Sequence, residues 1–335
     1  MFIVWRGFLY NQIEAILSQY EMEIYEIVKG RGTYICNTDK GKFVLTGFRG
    51  AKEKGEWLKA YLQELKATGF SVEQIVVNKE MKAISEDEVT GECFLMKEYI
   101  SGSELNVTHV KEIKAAASLL AEYHNAAIRV KKKAIVSDVE CSQMILQEKE
   151  KHYRELVKVK NYIRSKKKKN AFEHIYLNNY ESMLRTAKES IAMLEQSQEE
   201  QPECCICHGD YNQHNVVLVD GTWKIINFEN VVYRWSILDL ANFMRKMQEK
   251  NDWEISLGKE ILESYTKVRT LQKVEYEKLY GLLLFPEKFW KVTNHYMNSR
   301  KSWISERDIE KLEKVIEQEE KRLKFTQNVF AIQTE

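Results

Sequence analysis

The sequence contains little proline and glycine, with two prolines and 14 glycines among its 335 residues. Disordered chains and linkers are usually enriched in these residues, so the composition favours a folded protein with long helices. A membrane-spanning helix needs about 18 consecutive apolar residues, and no apolar run in this sequence is that long. The opening MFIVWRGFLYNQIEAI lacks a long apolar segment followed by a small-residue cleavage site, so we predict neither a signal peptide nor secretion.

An excess of charge of either sign is also absent. The chain has 51 Lys and Arg residues against 50 Asp and Glu residues, a formal net charge of +1. This balance gives no electrostatic reason to expect nucleic acid as a partner, and we predict none. Apolar residues make up 44% of a chain that is long for a single core, so we expect two lobes.

Cysteine is present in six copies, three of which form a CC-x-C cluster at residues 204–207. Zinc motifs usually combine two Cys or His pairs, and no second pair lies close to this cluster in the sequence. We therefore predict that the cysteines are small buried apolar side chains in a reducing compartment.

The first 100 residues carry strand patterns and one helix pattern, in the predicted order β-β-β-α-β-β. The turn signal DKG joins two strands, and VEQIVVN and CFLMKEYI predict two more on either side of a polar turn, SEDEVTGE. The helix is predicted over AKEKGEWLKAYLQELKATG and should end at Gly69. Its apolar face comprises Trp57, Leu58, Tyr61, Leu62 and Leu65.

Helical patterns dominate after the SGSEL segment, which we interpret as a hinge. We predict a small antiparallel sheet lobe with one helix over residues 1–100 and a larger, mainly helical lobe over residues 101–335. A helical insertion is expected at about 140–197. The RSKKKKN segment inside it predicts a solvated connection between two helices, with polyanion binding as the alternative.

The stretch CHGDYNQHNVVLVDGTWKIINFEN reads as a loop followed by a hairpin. An Asp-Gly pair between two β-rich runs is the strongest short signal for a hairpin, and a hairpin brings its two ends together. Phosphoryl transfer needs a carboxylate that orients a hydroxyl group and oxygen ligands that hold Mg²⁺. The oxygen-bearing side chains predicted to converge are Asp210, Asn215 and either Asn227 or Glu229.

These residues carry a resemblance. HGDYNQHN resembles the catalytic loop H-G-D-x-x-x-x-N of the aminoglycoside/choline phosphotransferases, a branch of the protein-kinase-like superfamily, and INFEN resembles their metal-binding IDFD/IDWE segment. The resemblance implies an α+β, bilobal, protein-kinase-like fold. It also implies Asp210 as catalytic base, Asn215 as metal ligand, His208 as a residue that structures the loop, and Asp239, within YRWSILDLANFMRKM, as its buttress.

A second resemblance covers nearly the whole chain. Segments such as KGRGTYICNTDKGKFVLTGFRGAKEK and PEKFWKVTNHYMNSRKSW are similar to the spore coat protein S (CotS) family of endospore-forming bacteria. This resemblance implies cytoplasmic synthesis in the mother cell, association with the spore coat and other coat proteins as partners. It implies neither a substrate nor an oligomeric state.

Two positions depart from the phosphotransferase pattern. Asn227 stands where the superfamily has a metal-binding Asp, and Thr46 stands where a lysine normally pairs with nucleotide phosphates. Loss of one unit charge about 4 Å from a dication weakens the attraction by several kcal/mol at an effective dielectric of about 20. Glu229 is the candidate surrogate metal ligand, and Lys42, on the same strand face as Thr46, is the candidate surrogate cation.

The glycine-rich loop that covers nucleotide phosphates is also incomplete, since KGRGTY has two glycines and no third at the expected spacing. Candidate partners for the missing lysine are three glutamates of the predicted helix, which are more typical of an exposed polar face. They are Glu53, Glu56 and Glu64.

Three functions remain open at this point. The first is a degenerate, pseudokinase-like phosphotransferase with a structural or scaffolding role in the spore coat. The second is an active phosphotransferase that uses ATP and Mg²⁺ on a small hydroxylated molecule or a coat protein, and the third is a cleft for a non-nucleotide ligand. The deciding feature is the side chain between Thr46 and Asn227, where a cation would favour the active enzyme.

Overall fold

The computed structural model describes residues 12–130, 138–196, 200–299 and 305–330. The predicted absence of a signal peptide concerns residues 1–11, most of the opening segment, which lie outside this part. The chain divides into two compact units. The sheet unit comprises Met1–Leu105, Arg129–Lys133 and Gln213–Val231, and the helical unit comprises Asn106–Ile128, Ala134–Asn212 and Val232–Glu335.

The sheet unit is built on an antiparallel sheet with the strand order β1-β2-β3-β6-β4, to which β5 adds by pairing with β6. Residues 12–17 form a short helix, α1, which packs its apolar side chains on this sheet together with Leu45 and Met96. The further elements are β1 (Ile24–Lys29), β2 (Thr33–Thr38), β3 (Gly41–Phe48), α2 (Lys52–Ala67), β4 (Ile75–Val76), β5 (Ile84–Glu86) and β6 (Cys93–Glu98).

Helix α2 follows the predicted apolar face. Leu58, Tyr61, Leu62 and Leu65 are buried, as the spacing of three and four residues requires, and Gly69 takes a φ of +92° just beyond the helix end. Gly55 lies on the same face, where an added Cβ would come within 2.3 Å of the Ile84 side chain. A glycine is therefore needed where α2 approaches β5.

Two strand predictions need correction. The strand predicted over VEQIVVN is reduced to the two residues of β4, and β5 takes the first two residues of the segment predicted as a polar turn. Ser85, on β5, is buried and pairs with Phe94 of β6, so its polarity did not indicate exposure. The turn itself starts at Asp87, whose carboxylate accepts from the Val89 N–H at 2.9 Å.

A hairpin also belongs to the sheet unit. Strands β9 (Val216–Val219) and β10 (Thr222–Ile225) pair antiparallel, and β7 (Ser103–Glu104) adds to β9. Asp220 and Gly221 have φ of 48° and 78°, the left-handed values that a two-residue hairpin turn requires, so the predicted Asp-Gly hairpin is confirmed.

The helical unit packs its helices around long apolar stripes, together with the two-stranded pair β8 (Cys204–Cys207) and β11 (Val232–Trp235). One core cluster joins Leu156, Val159, Phe172 and Tyr176. The helices are α3 (Val110–Arg129), α4 (Asp138–Ser165), α5 (Ala171–Glu195), α6 (Ile237–Gln248), α7 (Ile255–Thr266), α8 (Lys273–Leu284), α9 (Glu287–Asn298), α10 (Glu306–Glu317) and α11 (Glu319–Phe330).

The lysine run falls between α4 and α5, as predicted. Asn170 caps α5 by accepting from the Glu173 N–H, and the Glu173 side chain accepts from the Asn170 N–H, a reciprocal capping box. This cap ends the connection at a defined residue. Within the described ranges, no helix has both the length and the apolar character that a membrane crossing requires.

Glu287, at the start of α9, predicts a pH dependence of stability. Burial alone would raise its pKa, but the ammonium groups of Lys149 and Lys291 lower the pKa to about 2. Because the folded pKa lies below the unfolded value of about 4.3, the stabilisation is full at neutral pH and is lost as pH falls toward 2. We expect Glu287→Gln to lower the unfolding free energy at pH 7 by about 3 kcal/mol.

Urea unfolding at pH values between 7 and 2 measures this effect. Wild-type stability should fall through the acid range, whereas the Glu287→Gln protein should lack that part of the decline. Glu310→Gln, which changes an exposed glutamate of α10, is the matched control and should follow the wild type. Parallel acid profiles for wild type and Glu287→Gln would contradict the assignment.

Candidate functional site

The β9–β10 hairpin positions two of the predicted site residues. Asn215 precedes β9, and its carbonyl oxygen accepts from the Ile226 N–H at 3.0 Å, which continues the hairpin pairing by one step. Asn227 follows β10 and donates from Nδ2 to Asn215 Oδ1 at 2.7 Å. The two amides at the open end of the hairpin are therefore held against each other.

Asn227 adopts a left-handed conformation, with φ of 68° and ψ of 61°, and starts a short 3₁₀ turn that carries Glu229. Asn is one of the few residues that tolerate this conformation. The N–H groups of Asn227 and Phe228 both donate to Glu73 Oε1, at 2.8 and 3.2 Å. Glu73 lies just before β4 and is 3% exposed, so its carboxylate fixes this turn from within the sheet unit.

A lysine that the sequence did not single out completes this group. The Lys97 ammonium, on β6, donates to Asn227 Oδ1 at 2.7 Å, to Glu73 Oε1 at 3.1 Å and to Glu229 Oε1. Its three donors thus have three oxygen acceptors, and its side chain is 2% exposed. Burial works to lower the pKa of Lys97, but the charges of Glu73 and Glu229 raise it overall, so the group is cationic.

Lys97 lies on the same face of the sheet as Thr46. Thr46 pairs directly with Leu95, and Lys97 pairs with Val44, in the β3–β6 ladder. Directly opposed residues of antiparallel strands point to one face, and side chains alternate along a strand. A cation therefore lies beside Asn227 on the face of Thr46, and it comes from β6 rather than from Lys42, which is exposed.

The three candidate glutamates of α2 do not supply the buried carboxylate. Glu53 and Glu64 are exposed, and Glu56 pairs with Lys59 and accepts from the Ala83 N–H at 2.6 Å. Glu73 supplies the buried carboxylate that pairs with the lysine. A signal for Lys97 was present in the sequence, because it follows four apolar residues in CFLMKEYI, and a lysine within a buried strand must find partners.

Within the helical unit, Asp239 supports the turn that follows β8. Its carboxylate oxygens accept from the His208 N–H at 2.6 Å and from the Gly209 N–H at 3.1 Å. Asp239 is 2% exposed. Burial alone would raise its pKa, but the side chain of His124 and the N–H of His208 lower it, so the carboxylate stays ionised.

Asp210, at the end of this turn, forms an ion pair with Lys246 of α6, with Nζ and Oδ1 3.0 Å apart. The Asp210 N–H donates to His208 Nδ1 at 3.3 Å. The structure thus places His208, Asp210 and Asp239 together in the helical unit, and Asn215, Asn227, Glu229 and Thr46 in the sheet unit. Lys246 is a further residue that the sequence analysis missed.

Comparison with solved structures identifies the fold. An aminoglycoside phosphotransferase from Alicyclobacillus acidocaldarius is 19% identical, with a TM-score of 0.80 over 96% of each chain. An AMP-bound spectinomycin phosphotransferase is 14% identical, with a TM-score of 0.63 over 92% of this chain and 97% of its own. An amicoumacin kinase in complex with AMP-PNP and Ca²⁺ is 12% identical, with a TM-score of 0.59 over 93% and 96%.

At these identities the likeness shows the fold alone, and it confirms the predicted α+β, protein-kinase-like phosphotransferase fold. The family model described as "Spore coat putative kinase YutH" matches residues 13–329, so the chain belongs to that family. A spore coat family with a kinase-like fold, as predicted, is thereby confirmed, while the closer resemblance to spore coat protein S stays a prediction. No curated protein matches the chain.

Proposed function

We propose that this chain is a kinase-fold component of the spore coat with impaired phosphotransfer, and that its role is structural or scaffolding. One observation carries the proposal: the Lys97 ammonium is bonded to Asn227, Glu229 and Glu73. Glu229 is one of the two residues expected to hold Mg²⁺, and Asn227 stands at the position of the metal-binding Asp, so an internal cation uses oxygen atoms that a metal would need.

The positive charge of Lys97 opposes the binding of a divalent cation at this site. A dication about 4 Å from an ammonium is repelled by about 8 kcal/mol at an effective dielectric of 20. Displacing Lys97 instead would leave a buried ammonium without its partners, which costs several kcal/mol. The Asn227 amide adds an oxygen ligand but no charge. Phosphoryl transfer depends on positioned charge, so a site without a bound metal should be slow or inactive.

The family description also supports a proposal about where the protein is located and what it binds. The family description names the spore coat, and we infer synthesis in the mother cell, deposition on the coat and other coat proteins as partners. Structural neighbours are described with AMP, or with AMP-PNP and Ca²⁺. For this chain, ATP and Mg²⁺ would be the ligands of an active form only, with Asn215 and Glu229 as weak metal ligands.

Nucleotide binding provides the test. We expect no change in the melting temperature of the purified protein on addition of ATP and Mg²⁺, because a ligand that binds the native state must stabilise it. The spectinomycin phosphotransferase with AMP serves as the positive control. A clear stabilisation that requires Mg²⁺ would contradict the proposal.

Lys97 is a cation beside Asn227 on the face of Thr46, which is the feature that was expected to favour the active enzyme, so an active phosphotransferase is the second candidate. Because Lys97 lies on the face of Thr46, it could supply the phosphate-binding charge that Thr46 lacks, with Asp210 as the base. Here Asp210→Asn should abolish ATP turnover. Asp220→Asn is the matched control, since Asn also tolerates the left-handed conformation of this turn. Absence of turnover in the wild type would reject this candidate.

A further inference from the structure

A second cluster of ligand-type side chains lies in the helical unit. Cys205 and Cys207 are two residues apart on β8, so their side chains share a face, and their Sγ atoms are 4.0 Å apart. His124 of α3 meets them there: one ligand atom from each of the three residues lies within 4.8 Å of the other two. All three side chains are at most 2% exposed.

The two nitrogens of the His124 ring have different surroundings. Nδ1 lies 2.6 Å from the Tyr265 hydroxyl. Nε2 is fully buried, makes no hydrogen bond and lies 3.5 Å from Asp239 Oδ2, a longer contact. Metal-binding histidines are usually oriented by a hydrogen bond at the other ring nitrogen, which Tyr265 provides.

One distance is close to that of a metal coordination geometry. Zn–N bonds of about 2.0–2.1 Å and Zn–S bonds of about 2.3 Å place tetrahedral ligands about 3.3–3.8 Å apart. The 4.0 Å between the two sulfurs lies just beyond this range, and a ligand nitrogen of His124 lies within 4.8 Å of both. We propose that His124, Cys205 and Cys207 bind a zinc ion.

The donor set selects the metal. Two thiolates and an imidazole favour a borderline-soft ion such as Zn²⁺ over Mg²⁺, which prefers oxygen ligands. Binding converts the two thiols to thiolates, and two protons leave for solvent. The site differs from the oxygen cluster around Lys97 in residues and in chemistry, and it does not depend on whether the protein transfers phosphate.

A metal here would brace the turn that carries Asp210. Asp239 accepts from the N–H groups of His208 and Gly209 through both of its oxygens. A zinc ion would join α3 to β8 through His124 and the cysteines, next to that carboxylate, whose Oδ2 lies 3.5 Å from His124 Nε2. The turn would then be fixed by a metal as well as by hydrogen bonds, which suits a protein with a structural role.

Metal content tests the proposal directly. Untagged full-length protein is incubated with Zn²⁺, dialysed and analysed by metal mass spectrometry. We expect one zinc per chain in the wild type and none in Cys205→Ser or Cys207→Ser. Cys93→Ser, which changes a partly exposed cysteine of β6, is the matched control and should retain the zinc. Wild type without zinc, or undiminished zinc in both serine variants, would overturn the site.

Cobalt keeps the test decisive if the serine variants fail to fold. Co²⁺ bound to the wild type should give an intense thiolate-to-metal charge-transfer band and the strong visible bands of tetrahedral coordination, both of which Zn²⁺ should remove. A folded wild-type protein that shows no thiolate band with Co²⁺ contradicts the proposal whatever the variants do.

Discussion

Lys97→Met should lower the unfolding free energy of the sheet unit by about 3–5 kcal/mol. Methionine keeps most of the length and apolar contact of lysine but removes the charge. Glu73 and Glu229 then lose a common cation, and breaking a buried pair from one side leaves an uncompensated charge. The penalty should fall mainly on Glu73, whose side chain is 4% exposed against 19% for Glu229.

Denaturant unfolding, followed by a probe in the sheet unit, measures this loss. Lys42→Met is the matched control, because Lys42 is an exposed lysine on the neighbouring strand and should change stability by less than about 0.5 kcal/mol. Adding Glu73→Gln to Lys97→Met should recover part of the loss, since the buried charge disappears with its partner. Equal stability of wild type and Lys97→Met would refute the buried cation.

Local signals in the sequence were sufficient for several elements. The hairpin follows from Asp220 and Gly221, which accept left-handed backbone, and α2 follows from apolar residues repeated every three or four positions. Each depends on residues close together in the chain, so sequence spacing carries the information.

The site depends on contacts between distant residues, which spacing does not encode. Lys97 and Asn227 are separated by 130 positions, yet their side chains are 2.7 Å apart. The same holds for His124 and Tyr265, separated by 141 positions. Cys205 and Cys207 were predicted to be small buried apolar side chains because no second Cys or His pair lies close to them in the sequence, whereas His124 of α3 lies beside them in the structure.

The loss of charge at Thr46 and Asn227 was apparent from the sequence, but its consequence changes once Lys97 is included. Lys97 on β6 supplies the cation that β3 lacks at Thr46. Glu73 and Glu229 supply carboxylates next to Asn227, where the Asp is missing. The charges are therefore redistributed among the described residues of this site. The proposed function rests on the bonds that this cation, Lys97, makes to Asn227 and Glu229.

Asn227→Asp combined with Lys97→Met should create a Mg²⁺ site where the wild type has none. The double variant removes the competing ammonium and adds a carboxylate, so the carboxylates of Glu73, Glu229 and residue 227 lack a counterion. A dication about 4 Å from each unit charge gains about 8 kcal/mol at a dielectric of 20, before Mg²⁺ dehydration is subtracted. A hundredfold gain in affinity, about 3 kcal/mol, needs only part of this.

Thermal unfolding with and without Mg²⁺ measures metal binding at this site, because a ligand that binds the native state raises its stability. We expect a Mg²⁺-dependent rise in melting temperature for the double variant only. Asn227→Asp alone is the critical control: Lys97 remains, so the new carboxylate should pair with the ammonium already bonded to position 227 and bind no metal. If that single variant gained the full Mg²⁺ response, the amide at 227, and not the lysine, would be what keeps metal out.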